Sequence, residues 1–161
     1  MRQKVPFSYF CIFMTVMVFV LVTIGLVVTR DIPHKFNMLA AITAVALLVS
    51  LFYCPLYVVV TDKAVEIHRP LKIKTLPLNQ IKSVETFYPS PGGLRLCGSG
   101  GFAGYWGYFN DIMCGSYFGY YGKRDSCFLV KMNDGRQYVV GCENPKEMVD
   151  YLKKHLRYEE S

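Results

Sequence analysis

The sequence predicts a membrane-anchored α+β protein. A two-helix transmembrane hairpin over residues 1–54 is followed, over residues 55–161, by a β-barrel or sandwich capped by a C-terminal α-helix. Three observations predict it. Of 161 residues, 52% are hydrophobic and only 19% charged, whereas an ordinary soluble chain runs at about 45–50% and roughly 25%. Residues 7–29 and 36–61 contain no Asp, Glu, Lys, Arg or His, and 25 of the 30 charged residues lie in 62–161. From Leu56 onward apolar residues recur with period two, until one amphipathic stretch closes the chain.

A helix rises about 1.5 Å per residue and the hydrocarbon core is about 30 Å thick, so around 20 apolar residues span it. Both charge-free runs reach. A buried core helix of a soluble domain would carry polar residues on its rim, and neither run has a charged one. Val and Ile in the first run favour strand in water, but an unpaired strand in lipid leaves its backbone unsatisfied, so helix wins. Helices are expected at about 7–29 and 36–53, the second ending ahead of Pro55 because proline disfavours helix in the residue before it.

The six-residue link 30–35 returns the second helix antiparallel to the first, which puts both termini on one side. Arg2 and Lys4 precede the first helix, and Lys63, Arg69, Lys72 and Lys74 follow the second; the link offers Arg30 and Lys35 against Asp31. The positive-inside bias assigns the termini and the folded part to the cytoplasm, giving a multi-pass protein of the inner (cell) membrane. A secretory signal would have an apolar stretch of about 7–15 residues and a small-residue cleavage site; Val27-Val28-Thr29-Arg30 is not one. Six cysteines without any two-residue spacing read as buried small hydrophobes in a reducing compartment, and no metal or other cofactor is expected.

In the soluble part, Leu56, Val58 and Val60 share one face, Val65 and Ile67 alternate with Glu66 and His68, and Leu71 and Ile73 alternate with Lys72 and Lys74. These are expected as three half-buried strands in a meander, turning near Asp62-Lys63 and Pro70. Residues 82–87 read as a fourth strand. Residues 88–122 are rich in glycine and aromatics; the glycines are read as letting the chain bend sharply between strands, and the interleaved rings as filling the barrel mouth. Strands at 127–132 and 137–140 flank Asn133-Asp134-Gly135-Arg136, a hairpin turn by its tolerance of positive φ. The total is six or seven strands. Asn144 as N-cap, Pro145 at the first helical position and Glu147 in capping-box register open a last helix. Met148, Val149, Leu152 and Leu156 form its apolar stripe, with basic residues gathered towards its C-terminal end.

Arg95-Leu96-Cys97-Gly98-Ser99-Gly100-Gly101-Phe102, then Gly104-Tyr105-Trp106-Gly107, and later 134–140 and Asn144-Pro145, resemble the bacterial pleckstrin-homology-like (PH-like) domain family of the membrane-anchored type. The likeness covers about residues 56–156. It implies a split barrel capped by a helix, and it implies no reaction.

The glycines around Ser99 lack the Gly-Lys-Ser/Thr of a phosphate loop and the strand-then-helix setting of a dinucleotide loop. Cys97 stands where a nucleophile elbow requires glycine. His34, His68 and His155 fall in separate elements, and no paired carboxylates stand out, so no enzyme is expected. The net charge of +6 divides evenly between residues 1–61 and the remainder, which leaves no concentrated basic surface for nucleic acid.

Nine aromatic rings fall within residues 102–121, more than a small core holds. Phe102, Tyr105, Trp106, Tyr108 and Phe109 are therefore candidates for an exposed surface that either binds a protein partner or a second copy of the chain, or rests on the membrane interface. The alternative function is sensing of anionic phospholipid headgroups by Lys63, Arg69, Lys72 and Lys74, close to the bilayer.

Overall fold

The computed structural model describes residues 1–159. Two helices come early, α1 (Tyr9–Val28) and α2 (Pro33–Tyr53). Both are long and apolar enough to cross a membrane, and both are exposed over most of their length. α2 starts three residues before the expected position because Pro33, lacking an N–H, suits the first turn. Hydroxyls inside the helices bond back to the preceding turn, Thr15 to the Cys11 carbonyl at 2.7 Å and Ser50 to that of Ala46 at 2.8 Å, so these two hydroxyls need no water.

A strand absent from the sequence reading precedes them. β1 (Arg2–Lys4) pairs antiparallel with β2 (Tyr57–Val60), Gln3 opposite Val58, so residues at the start of the presumed hairpin unit belong to the sheet. β3 (Ala64–His68) and β4 (Ile73–Pro77) complete a four-stranded sheet in the order β1-β2-β3-β4. Val58, Val65 and Ile67 point inward as expected. Leu71 and Ile73 do not: both are exposed, because the chain turns at 69–72 (Arg69 N–H to Lys72 O, 3.2 Å) and β4 presents Leu76 to the core instead.

After a short 3-10 turn, β5 (Ile81–Thr86) begins the second sheet. The glycine-aromatic region is not a set of bends. It forms three long strands, β6 (Leu94–Gly101), β7 (Gly104–Asp111) and β8 (Gly115–Tyr121), before β9 (Cys127–Met132) and β10 (Gln137–Gly141). Among the described residues there are ten strands, and the order of the second sheet is β5-β9-β10-β8-β7-β6. The β9–β10 hairpin turns at 133–136 as expected, with Gly135 at φ 83°. β10 lies parallel to β8, Tyr138 opposite Phe118.

The six-stranded sheet is covered on both faces. On one, Tyr120, Phe128, Val130 and Val140 meet Val58, Val65, Ile67 and Leu76 of the smaller sheet and Met148, Val149 and Leu152 of α3 (Pro145–Glu159), the expected closing helix. On the other, Tyr105, Phe109, Tyr117, Tyr121, Leu129 and Val139 pack with Cys11, Phe7 and Phe87. Burial on both sides explains why β9 reads as a continuous apolar run. Gln3, itself buried, accepts from the Asn144 N–H at 2.8 Å and donates to Glu147 at 3.3 Å, tying β1 to the cap of α3.

Candidate functional site

Between the edge of β4 and the face of β8 the sandwich stays open. The seam is a groove of ≈ 500 Å³ lined by Arg69, Lys72, Lys74 and Arg136, by the rings of Phe52, Tyr53, Tyr108, Phe118, Tyr120 and Tyr138, and by Ser116 and Gln137. None of the described residues that line it is a carboxylate. Phe52 and Tyr53 are the last turn of α2, so the groove begins where a membrane helix would leave the bilayer.

The rings hold the cations. The Arg69 guanidinium lies 5.3 Å from the Tyr120 ring and 5.8 Å from that of Tyr53, while the Lys74 ammonium lies 5.3 Å from that of Tyr138. Arg69 also donates from Nε to the Lys72 carbonyl at 3.1 Å, which closes the 69–72 turn. Among the described residues no acid pairs with Arg69, Lys72 or Lys74. Arg136 is different, since its Nε donates to Asp134 at 2.6 Å. Burial pushes the Tyr120 phenol up to about 12, so at neutral pH it is an uncharged hydroxyl beside the Arg69 cation. Such an arrangement offers positive charge on an aromatic floor to a compact anion.

Of the four basic residues singled out from the sequence, three meet here. Lys63 does not: it sits in the β2–β3 turn, beside the Val60–Val65 end of that pair, whereas the groove opens beside the Tyr57–His68 end. Arg136 was missed, because only the pairing of β10 with β8 brings the 133–136 turn to the groove, and no local pattern encodes that pairing.

The five aromatic candidates separate. Tyr105 and Phe109 are core residues, 6% exposed each. Trp106 stacks on Tyr53 of α2 at 5.2 Å, and Phe102 meets Phe19 of α1 at 6.1 Å. Tyr108, 56% exposed, alone among the five presents most of its ring outward. The rings that a small core has no room for are taken up by the second face of the sheet and by the two helices.

Two sheets open along one seam, closed at one end by a C-terminal helix, define a PH-like domain, here built onto a helical hairpin. A family model for the Bacterial PH domain matches residues 56–156, and the chain belongs to that family. No curated protein and no solved structure matches the chain.

Proposed function

We propose that this protein is a membrane-tethered PH-like module whose groove at the foot of α2 binds anionic phospholipid headgroups at the cytoplasmic face. The observation that carries this is the groove itself: Arg69, Lys72 and Lys74 without an acid partner among the described residues, Arg136 held by Asp134 at the rim, and aromatic walls, starting at the last turn of a helix long enough to span a bilayer. Its volume suits a headgroup. The 69–72 turn adds an exposed apolar residue, Leu71, between Arg69 and Lys72, and that combination suits a surface that is anionic outside and apolar beneath. Cations and rings bind and orient an anion, so the reading is of a binding module.

The test is native mass spectrometry of the full-length protein released from micelles doped with phosphatidylglycerol or with phosphatidylcholine of matched chains. Preferential retention of the anionic lipid is expected. Equal retention of both refutes headgroup selectivity.

A second reading, contact with a protein partner or another copy, draws on a different place. At the β7–β8 turn Ile112 and Met113 are 93% and 84% exposed, with Leu94 beside them. Cross-linking at this turn in the intact membrane tests it, and a monomer with no adduct refutes it.

A further inference from the structure

The face of the six-stranded sheet turned away from the smaller sheet gathers a second set of cations. Arg95 comes from β6 and Arg124 from the 122–126 link between β8 and β9, and with Ser90, Tyr105, Tyr117 and Tyr121 they line a pocket of ≈ 330 Å³. Its floor is stacked rings, Tyr105 on Tyr121 at 5.0 Å and Phe109 on Tyr117 at 5.7 Å. Alternation along β7 and β8 sets these rings opposite Tyr108, Phe118 and Tyr120, so pocket and groove lie on different faces of one sheet. Gly100 makes room for Arg95, since a Cβ there would stand 2.7 Å from the guanidinium Nη1.

Donors outnumber acceptors in this pocket. Among the described residues neither arginine has an acid partner. The acids nearby are already engaged: Asp111 accepts from the Ser90 N–H at 2.8 Å and from the Met113 N–H at 2.9 Å, and Asp125 pairs with Lys123 at 3.0 Å. The Arg124 Nε is buried without a hydrogen-bond partner, its guanidinium 5.1 Å from the Tyr105 ring. Tyr117 and Tyr121, both buried, meet hydroxyl to hydroxyl at 3.4 Å, a contact that uses at most one of their two protons. Burial pushes the Tyr117 phenol up to about 12 and the Tyr121 phenol up as well, so both are protonated donors at neutral pH. Buried donors without acceptors are costly, and a bound anion offsets that cost.

We propose that Arg95 and Arg124, with the Tyr117 and Tyr121 hydroxyls, form a binding site for a phosphate monoester group, separate from the groove beside β4. Two guanidiniums match the charge of about −2 that such a group carries at neutral pH. Their forked donors suit phosphate oxygens. Donors arriving from the β6 edge, from the 122–126 link and from the ring floor surround a tetrahedral anion more completely than a planar carboxylate. The pocket adjoins a cleft lined by Ser8 and Phe10 at the start of α1, with Tyr105 and Arg124 common to both. It is therefore placed to take either a dissolved phosphate ester or the headgroup of a lipid beside α1.

The test uses the full-length protein in micelles of a non-ionic detergent, with inorganic phosphate, glycerol 3-phosphate and micelle-borne phosphatidic acid as probes. Calorimetry reads the two soluble probes and native mass spectrometry reads the lipid. Wild type is expected to bind at least one of them, Arg95→Gln and Arg124→Gln are each expected to weaken that binding roughly tenfold or more, and the groove variant K72Q/K74Q is expected to leave it unchanged. Binding of glycerol 3-phosphate shows that a dissolved ester suffices; retention of phosphatidic acid without either soluble probe assigns the phosphate to a lipid. The proposal is overturned if no probe binds, if binding survives Arg95→Gln or Arg124→Gln undiminished, or if K72Q/K74Q abolishes it, which would place the phosphate in the groove. Arg95 is exposed on an outer strand, so Arg95→Gln keeps the test decisive should Arg124→Gln fail to fold. Gly100→Ala, which pushes the Arg95 guanidinium aside without changing charge, is expected to weaken binding too. Headgroup binding in the groove stands or falls separately, on the phosphatidylglycerol measurement.

Discussion

Removing charge from the groove without removing its walls isolates the electrostatic part of the proposed headgroup binding. Lys72 and Lys74 are the residues for this, because Arg69 also packs on Tyr53 and Tyr120 and its loss would disturb the 69–72 turn. Each basic residue next to an anionic surface contributes about 1 kcal/mol, so the double variant K72Q/K74Q should lose ~2 kcal/mol, roughly thirtyfold in association constant. Lys63→Gln removes the same charge from the far turn and should change little. The assay is the association of spin-labelled phosphatidylglycerol with the reconstituted full-length protein, titrated at low and high salt. The gap between wild type and double variant should narrow as salt rises, since the screening length falls to about 3 Å at 1 M. If K72Q/K74Q binds as wild type does, or if Lys63→Gln weakens binding as much as the double variant, the groove is not where the headgroup sits.

Other consequences are structural. Gly98 and Gly107 face each other across β6 and β7 at φ 116° and 121°, and a Cβ on Gly107 would run into the Cys97 carbonyl; Gly107→Val should lower the melting temperature and raise protease cleavage within 94–111, and an unchanged melting curve would show that the hairpin tolerates a side chain there. Gln3→Ala leaves the Asn144 N–H without its buried acceptor, a loss of ~1–3 kcal/mol, read as a drop in thermal midpoint in micelles; no drop would mean that β1 is not fastened to α3. Burial pushes the Cys142 thiol up to about 12 from an ordinary value of 9.0, so its contribution to stability is whole below about pH 9 and is lost as pH climbs towards 12. Alkylation at pH 8 should accordingly reach the exposed Cys97 while Cys127 and Cys142 stay unmodified until the protein is denatured. Labelling of Cys142 in the folded protein would contradict its burial.

The hairpin helices, the β9–β10 turn and the closing helix are legible in the sequence because each rests on local rules: an unbroken apolar run, an Asn-Asp-Gly turn, a cap followed by a stripe. β6, β7 and β8 are not. Glycine weakens any strand reading, and Tyr105, Phe109, Tyr117 and Tyr121 fill one face while Tyr108, Phe118 and Tyr120 fill the other, so the alternation that marks a half-buried strand is erased. β1 is three polar residues whose partner is more than fifty positions away. Leu71 and Ile73 show the opposite error, a clean period-two pattern whose apolar side faces out. The groove was half visible: Arg69, Lys72 and Lys74 are close in sequence, but Tyr53, Tyr138 and Arg136 join them only through long-range pairing.

Because β1 comes before α1 and its partner β2 comes after α2, the two helices are stitched into the domain at both ends, as a loop drawn out from between neighbouring strands. During synthesis the first strand has nothing to pair with until both helices and β2 have been made, so the smaller sheet is completed only once the chain has returned to its starting point. A molecule with one helix misplaced would leave β2 stranded from β1, with Gln3 unable to reach the cap of the last helix. Completion of the smaller sheet and of the α3 cap thus depends on where both helices bring the chain back.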